Sequence, residues 1–508
     1  MRYTISAPIA LHAAIQLPAS KSISNSALIL HSLAHGNILP RNLSDCDDTM
    51  VMTRALDGNP GHIDILAAGT AMRFLTAYLS VTPGTRIITG TQRMQQRPIR
   101  ILVDALRKLG AQIEYVGNEG FPPLRITGTE LTGSDISLAG NVSSQYISAL
   151  LMIGAVLPQG LRLHLTGSII SRPYITLTLQ LMRDFGAQAD WTSEDCITVS
   201  PGRYTDTPFT VESDWSAASY WYQMMAIEGI KNYKLKIEGI ELLGLFAHSY
   251  QGDSRGAEVF ARLGVHTEYT DRGVKLIRKG TPATRLDEDM VDIPDLAQTF
   301  VVTCCLMDIP FRFTGLQSLK IKDTDRITAL ITELRKLGYV VRSEQDSILL
   351  WDGERCPADA DPVIATYEDH RMAMAFAPAC LVLPQIQIDE PQVVTKSYPA
   401  YWEDLQKAGF KVCQNAMQSY NKAFILRNTA FILKNITFIL RNKGYILRLG
   451  CIQSSFTLRS KQVMPASGGS NLPTCNLKHY FVVYKTICIF VRSINGTCFS
   501  RKGSPCGY

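Results

Sequence analysis

One pattern recurs five times along this chain and restricts the folds open to it. A helical segment ends in glycine, and alternating strand residues follow. The copies are Leu102-Val-Asp-Ala-Leu-Arg-Lys-Leu-Gly110, Leu177-Thr-Leu-Gln-Leu-Met-Arg-Asp-Phe-Gly186, Glu258-Val-Phe-Ala-Arg-Leu-Gly264, Ile331-Thr-Glu-Leu-Arg-Lys-Leu-Gly338 and Tyr401-Trp-Glu-Asp-Leu-Gln-Lys-Ala-Gly409. Leu102, Leu106 and Leu109 fall on one helical face, and each Gly stands where a helix C-cap needs positive φ. The glycines are 76, 78, 74 and 71 residues apart, and a shorter, degenerate copy ends near Gly58. Helix, Gly, strand is common in any α/β protein, so it is the near-constant spacing that carries the argument. The period exceeds that of the familiar solenoid repeats. Six units of helix plus antiparallel strands fill about 410 residues. The predicted fold is α/β, with the units divided between two similar domains and a cleft between them.

Composition separates the body from a C-terminal extension. Of 508 residues, 51 are Lys or Arg and 45 are Asp or Glu, a formal net charge of +6. Residues 411–508 hold 14 of the basic residues and no acidic one, so residues 1–410 hold 37 against 45, a net of −8. An acidic body argues against nucleic acid as the partner. The 12 Cys include no Cys-x-x-Cys pair, a pattern of the reducing cytosol rather than of a disulfide framework. Pro8, His12, Gln16 and Pro18 interrupt the N-terminal apolar stretch and favour strand over signal peptide. No run approaches the ~20 apolar residues of a spanning helix, so no membrane partner is expected.

Four loop-to-helix junctions carry anion-binding signatures: Ser20-Lys21-Ser22, Gly69-Thr70-Ala71-Met72-Arg73, Ser143-Ser144-Gln145 and Asp369-His370-Arg371-Met372. A helix start presents unsatisfied N–H groups and partial positive charge, which suit phosphate and carboxylate. One such junction reads equally well as a plain N-cap. Four of them, three with a Lys or Arg attached, point to a site for more than one anionic group.

With its other motifs in place, residues 1–410 resemble the 5-enolpyruvylshikimate-3-phosphate synthases. The resemblance rests on Pro18-Ala-Ser-Lys-Ser-Ile-Ser-Asn25, Ala68-Gly-Thr-Ala-Met-Arg73, Arg93-Met-Gln-Gln-Arg-Pro98, Val142-Ser-Ser-Gln145, Ser171-Arg-Pro-Tyr174, Ile293-Pro-Asp295, Lys322-Asp-Thr-Asp-Arg326, Asp369-His-Arg-Met-Ala-Met374 and Lys396-Ser-Tyr-Pro399, in the family's order. It implies the enolpyruvyl transferase fold, two domains of three βαβαββ-type units each. On that basis residues 19–213 are expected to form the first domain and 1–18 plus 214–410 the second. The implied reaction moves the enolpyruvyl group of phosphoenolpyruvate onto the 5-hydroxyl of shikimate 3-phosphate and releases phosphate, in chorismate and aromatic amino-acid biosynthesis. No cofactor and no metal are expected, and a cytoplasmic monomer is.

The resemblance also implies roles for residues. Phosphoenolpyruvate is expected at Lys21, Gly69, Arg97, Gln145, Arg326, Arg371 and Lys396. Shikimate 3-phosphate is expected at Lys21, Ser22, Ser26, Ser143, Ser144, Gln145, Ser171, Tyr174, Asp295, Ser318 and Lys322. Both substrates carry a phosphate and a carboxylate, so several cations must converge to offset their repulsion. Asp295 is the candidate base for the attacking hydroxyl. Lys396 and Asp323 are candidates around the methylene carbon, and Lys21 is a candidate proton shuttle, set among other cations that would lower its pKa. Read without the resemblance, Asp323, Asp325 and Arg326 form a surface ion-pair cluster, Lys396 is a loop lysine, and Asp214 caps a helix at the domain crossover.

Four positions depart from the family pattern: Ser26 stands for Arg, Ala67 for Asn, Asp323 for Glu and Ser318 for Asn. The missing Arg at 26 leaves open an impaired, anion-binding homologue. A related transferase acting on a UDP-sugar is the other alternative, and that relative's catalytic Cys has no counterpart between Arg93 and Arg97. Residues 411–508 do not fit the family. Four seven-residue repeats begin at Lys422, Thr429, Ile436 and Lys443 and centre on Phe-Ile-Leu or Tyr-Ile-Leu. Three adjacent apolar residues do not make an a/d seam. The segment reads as a poorly ordered basic tail, translated non-coding sequence after a lost stop codon, with aggregation-prone segments.

Overall fold

The computed structural model describes residues 1–415 apart from 59, 171, 228–235 and 322–323. The readings made for Ser171, Lys322, Asp323 and the tail beyond 415 lie outside the described residues. Met1–Met417 forms one compact unit by its contacts.

The repeat appears as a sheet with two helices. In its first full copy the strand His62–Asp64 leads through the helix Gly69–Val81 to Gly84–Thr89, then through Arg100–Lys108 to the hairpin Gln112–Tyr115 and Leu124–Gly128. The first two strands pair in parallel, as a βα crossover requires. The hairpin joins antiparallel through Leu124–Gly128. The same order recurs in the sheets that begin with Asp135–Ala139 and Leu286–Asp289. Two further sheets draw on the N-terminus. Ala10–Gln16 pairs in parallel with Lys236–Leu243, and Arg2–Ser6 pairs antiparallel with both Ile386–Asp389 and Lys411–Asn415. A body ending at residue 410 would therefore omit an edge strand of its last sheet.

Local chemistry explains the unit. Gly110, Gly186, Gly264, Gly338 and Gly409 have φ of +108°, +88°, +84°, +91° and +94°. A side chain there would clash with its own carbonyl, so glycine ends each helix and turns the chain into the hairpin. Leu102, Leu106 and Leu109 are buried as their spacing predicts. The degenerate sixth copy has two helices, Lys21–Leu33 and Asp47–Leu56. Among the described residues, isolated bridges, Ala19 to Ser213 and Arg41 to Thr210, stand around them where the other copies have a four-stranded sheet.

Two apolar cores form within this unit. One is drawn from Ala19 to Val211, the other from Ile5 to Leu17 and from Trp215 to Phe410. The helices Trp215–Ile227 and Ala297–Leu306 are buried along their whole lengths, which is why neither shows an amphipathic stripe. Cys304 and Cys305 lie inside the second core with their thiols pushed up by burial. No helix among the described residues is long and apolar enough to cross a membrane.

Candidate active site

A cleft partly open to solvent collects the junctions. Lys21, Ser22, Ser26, Gly69, Arg97, Ser143, Ser144, Gln145, Tyr174, Asp295, Arg326, Arg371 and Lys396 all line it. They come from the first two turns of six helices, the short turn Pro294–Leu296, and the segments around residues 97 and 396, spread from residue 21 to residue 396. Ser318 does not line it; its Oγ is buried with no hydrogen-bond partner among the described residues.

The four junctions are not equivalent. The helix Gly69–Val81 has no side-chain cap, so no side chain competes for the N–H groups at its start. Two guanidiniums close around that start. A Cβ on Gly69 would lie 2.9 Å from Arg97 Nη1 and 3.4 Å from Arg73 Nη1. Arg73 also donates to the Gly69 carbonyl at 3.1 Å and lies over the Tyr146 ring, whose hydroxyl donates to the Pro98 carbonyl at 2.6 Å. Arg73 thus braces the loop that carries Arg97. Gln145 Nε2 donates to Thr70 Oγ1 at 3.0 Å, tying the second helix start to the third. Ser143 caps its own helix through the Gln145 N–H at 3.4 Å.

The fourth junction works differently from its sequence reading. The Asp369 carboxylate accepts from the Arg371 N–H at 2.9 Å and so occupies that helix start itself. The same carboxylate, wholly buried, receives Arg326 Nε at 2.6 Å. Here the cations come from side chains, not from the helix. Arg326 Nη1 reaches Asp295 at 3.0 Å and Arg371 Nη2 reaches it at 3.2 Å. The candidate base thus sits between two guanidiniums. Burial opposes the charge on Arg371, but Asp295, Tyr220 and Asp253 push its pKa well up, and it stays cationic. The surface-cluster reading fits only part of this motif: Asp325 caps the helix Arg326–Lys336 and pairs with Lys320 at 3.1 Å, whereas Arg326 is buried.

Several residues of the cleft escaped the sequence reading. Asp48 pairs with Lys21 at 3.4 Å, so a carboxylate stands beside a lysine expected to lie among cations. Its neighbour Asp47 accepts from Thr395 Oγ1 at 2.7 Å, and one helix start thereby touches both lysine loops. Asp214 accepts from the Ser216 N–H at 2.7 Å as a cap, yet it also lines the cleft, and burial raises its pKa. Asp253 lines the cleft as well. The Asp48 and Asp253 motifs, Asp45-Cys-Asp-Asp48 and Gln251-Gly-Asp253, are marked by carboxylates, so a search for anion sites passes over them.

This architecture is shared with solved proteins. An EPSP synthase from Acinetobacter baumannii superposes with a TM-score of 0.65 at 21% identity, covering 82% of this chain and all of that one. The enolpyruvyl transferase NikO from Streptomyces tendae superposes at 0.62 with 15% identity, covering 82% of this chain and 98% of its own. The fold is that of the enolpyruvyl transferases. Within that class, the family described as EPSP synthase (3-phosphoshikimate 1-carboxyvinyltransferase) matches residues 59–405. A 3-phosphoshikimate 1-carboxyvinyltransferase of Bacteroides fragilis is 70% identical over 412 residues, 81% of this chain and 99% of that protein. One from Shewanella pealeana is 36% identical over 417 residues, covering 76% and 95%. The chain belongs to the EPSP synthase family.

Proposed function

We propose that this chain transfers the enolpyruvyl group of phosphoenolpyruvate to the 5-hydroxyl of shikimate 3-phosphate and releases phosphate, within chorismate biosynthesis. The observation that carries the reading is Asp295 held between Arg326 and Arg371, in one cleft with Lys21, Arg97 and Lys396. A single base ringed by cations suits two substrates that each bring a phosphate and a carboxylate.

Phosphoenolpyruvate binds at the start of the helix Gly69–Val81, with Arg97 on one side and Arg326, Arg371 and Lys396 on the other. Shikimate 3-phosphate presents its phosphate to Ser143 and Ser144 and its 5-hydroxyl to Asp295. Asp295 removes the hydroxyl proton, and the oxygen attacks C2 of phosphoenolpyruvate as a proton adds to the methylene carbon. The tetrahedral intermediate then loses a methyl proton, the C–O bond to phosphate breaks, and the double bond returns. Lys396 stands nearest in role to the methylene carbon. Lys21, paired with Asp48, orients the attacking oxygen. The two apolar cores support domains of 19–213 and 1–18 plus 214–415, and we place the protein in the cytoplasm as a monomer.

Phosphate release tests the reading. Turnover should require both substrates together and should fall by more than about a hundredfold in Asp295→Asn, since general acid–base groups contribute about 10²–10⁴. Absence of release with this pair, or turnover with a UDP-sugar in place of shikimate 3-phosphate, would overturn it.

A further inference from the structure

The turn Gly252–Arg255 carries Asp253 into the cleft, where it is buried. Nothing in the chemistry described above uses this carboxylate. One of its oxygens accepts from Ser216 Oγ. The Tyr174 hydroxyl lies 3.3 Å from the other, and 3.2 Å from Asp295 Oδ2. A phenol has one proton to donate and lone pairs to accept with. Between two carboxylates it serves one as donor, and it takes a proton from whichever carboxylate has one. The turn is held in place by the helix that carries Tyr174, because Gly252 packs directly on Pro173 with no room for a Cβ.

We propose that Asp253 is the proton store behind Asp295, reached through the Tyr174 hydroxyl. The proposal rests on Asp295 as the base. The substrate O–H bond breaks as Asp295 gains the proton. The Asp295 proton then passes to the Tyr174 oxygen while the Tyr174 proton passes to Asp253. One proton has moved from the substrate to Asp253, Asp295 is again a carboxylate, and no phenolate forms. Asp253 acts through another residue, so its role is to position the proton.

The surroundings favour this direction. Asp253 faces Asp214 and Ser216 from the start of the helix Trp215–Ile227, Arg371 from the helix His370–Phe376, Asp295 from the turn Pro294–Leu296, and Tyr174. Burial and the Asp295 charge push it up to about 6 against the pull of Arg371. A carboxylate between two guanidiniums keeps a proton poorly, so a buried neighbour with a single cation is the better holder. Burial, Asp253 and Asp295 together hold the Tyr174 hydroxyl neutral.

The test compares kcat and both KM values from pH 5 to 9 for the full chain, Asp253→Asn, Tyr174→Phe and the double variant. Wild-type turnover of both substrates establishes the underlying reading, and its absence would defeat that reading separately. Given turnover, Asp253→Asn should lower kcat about tenfold with KM values within about twofold, and should remove the acid limb near pH 6. The double variant should have the same kcat as Tyr174→Phe, because both substitutions cut one route. An unchanged kcat with its limb in place, or multiplicative losses in the double variant, would overturn the proposal. Should Asp253→Asn not fold, Tyr174→Phe decides alone, and retention of the limb would overturn it.

Discussion

Gly69→Ala should weaken phosphoenolpyruvate binding without harming the fold. Gly69 opens its helix without a positive φ, so the backbone accepts alanine, and helix propensity favours it by up to about 1 kcal/mol. The consequence falls on Arg97. A Cβ would lie 2.9 Å from its Nη1 and 3.3 Å from its Nη2, where ordinary contact begins near ~3.5 Å. The guanidinium is the far end of a flexible side chain, so it retreats by roughly 0.5–1 Å instead of straining the core. A charge-assisted bond stretched that far is largely lost. At about 1.5–3 kcal/mol for such a bond, complete loss corresponds to roughly 10- to 150-fold in affinity. Because the guanidinium retreats without leaving, a rise of about tenfold in the KM for phosphoenolpyruvate is expected. Shikimate 3-phosphate, which we propose binds at Ser143, Ser144 and Tyr174, should keep its KM within about twofold. Steady-state phosphate release with each substrate varied in turn measures both, and a melting curve verifies the fold. An unchanged KM for phosphoenolpyruvate, or an equal rise for both substrates, would refute the assignment of Arg97 to that anion.

Three further outcomes are expected. Asp253 has a carboxyl raised from 3.8 to about 6, so the stability it contributes is complete below about pH 4 and is lost as pH rises through 6. Asp253→Asn should therefore unfold at higher temperature than wild type at pH 8, by an amount on the order of 1–3 kcal/mol, with the gap closing towards pH 4; equal pH dependence would contradict this. Truncation after Asn415 should preserve cooperative melting, while truncation after Phe410 removes the strand paired with Arg2–Ser6 and should lower Tm by about 2–4 °C; identical melting of the two would show that the edge strand adds nothing. Ser26 is buried on the helix Lys21–Leu33 and lines the cleft, so Ser26→Arg should tighten shikimate 3-phosphate roughly tenfold or more by calorimetry, and weaker binding would mean the position is already filled by its neighbours.

Much of the architecture could be read from the chain because its signals are local. A helix C-cap glycine must sit immediately after its helix, and the five copies declare the unit and its period before any contact is known. Lys21, Gly69, Ser143 and Arg371 were legible for the same reason, each lying within a turn of a helix start. Less legible was the edge strand Lys411–Asn415. Charge composition changes at residue 411, and composition says nothing about pairing across the sheet to Arg2–Ser6.

Periodicity tells which face of an element is buried, but not what that face meets. Asp369 reads in the sequence as part of an anion-binding helix start, and the fold turns it into the cap of that helix and the partner of Arg326, 43 residues away. Asp253 and Tyr174 are 79 residues apart, and Tyr174 and Asp295 are 121 apart. No local rule joins them. The sequence determined the repeat, the supply of cations and the family. Tertiary structure alone decided which carboxylate stands between the guanidiniums and which lies behind it, because Tyr174, Asp253, Asp295 and Arg371 come from four different repeat units and meet only when the units pack.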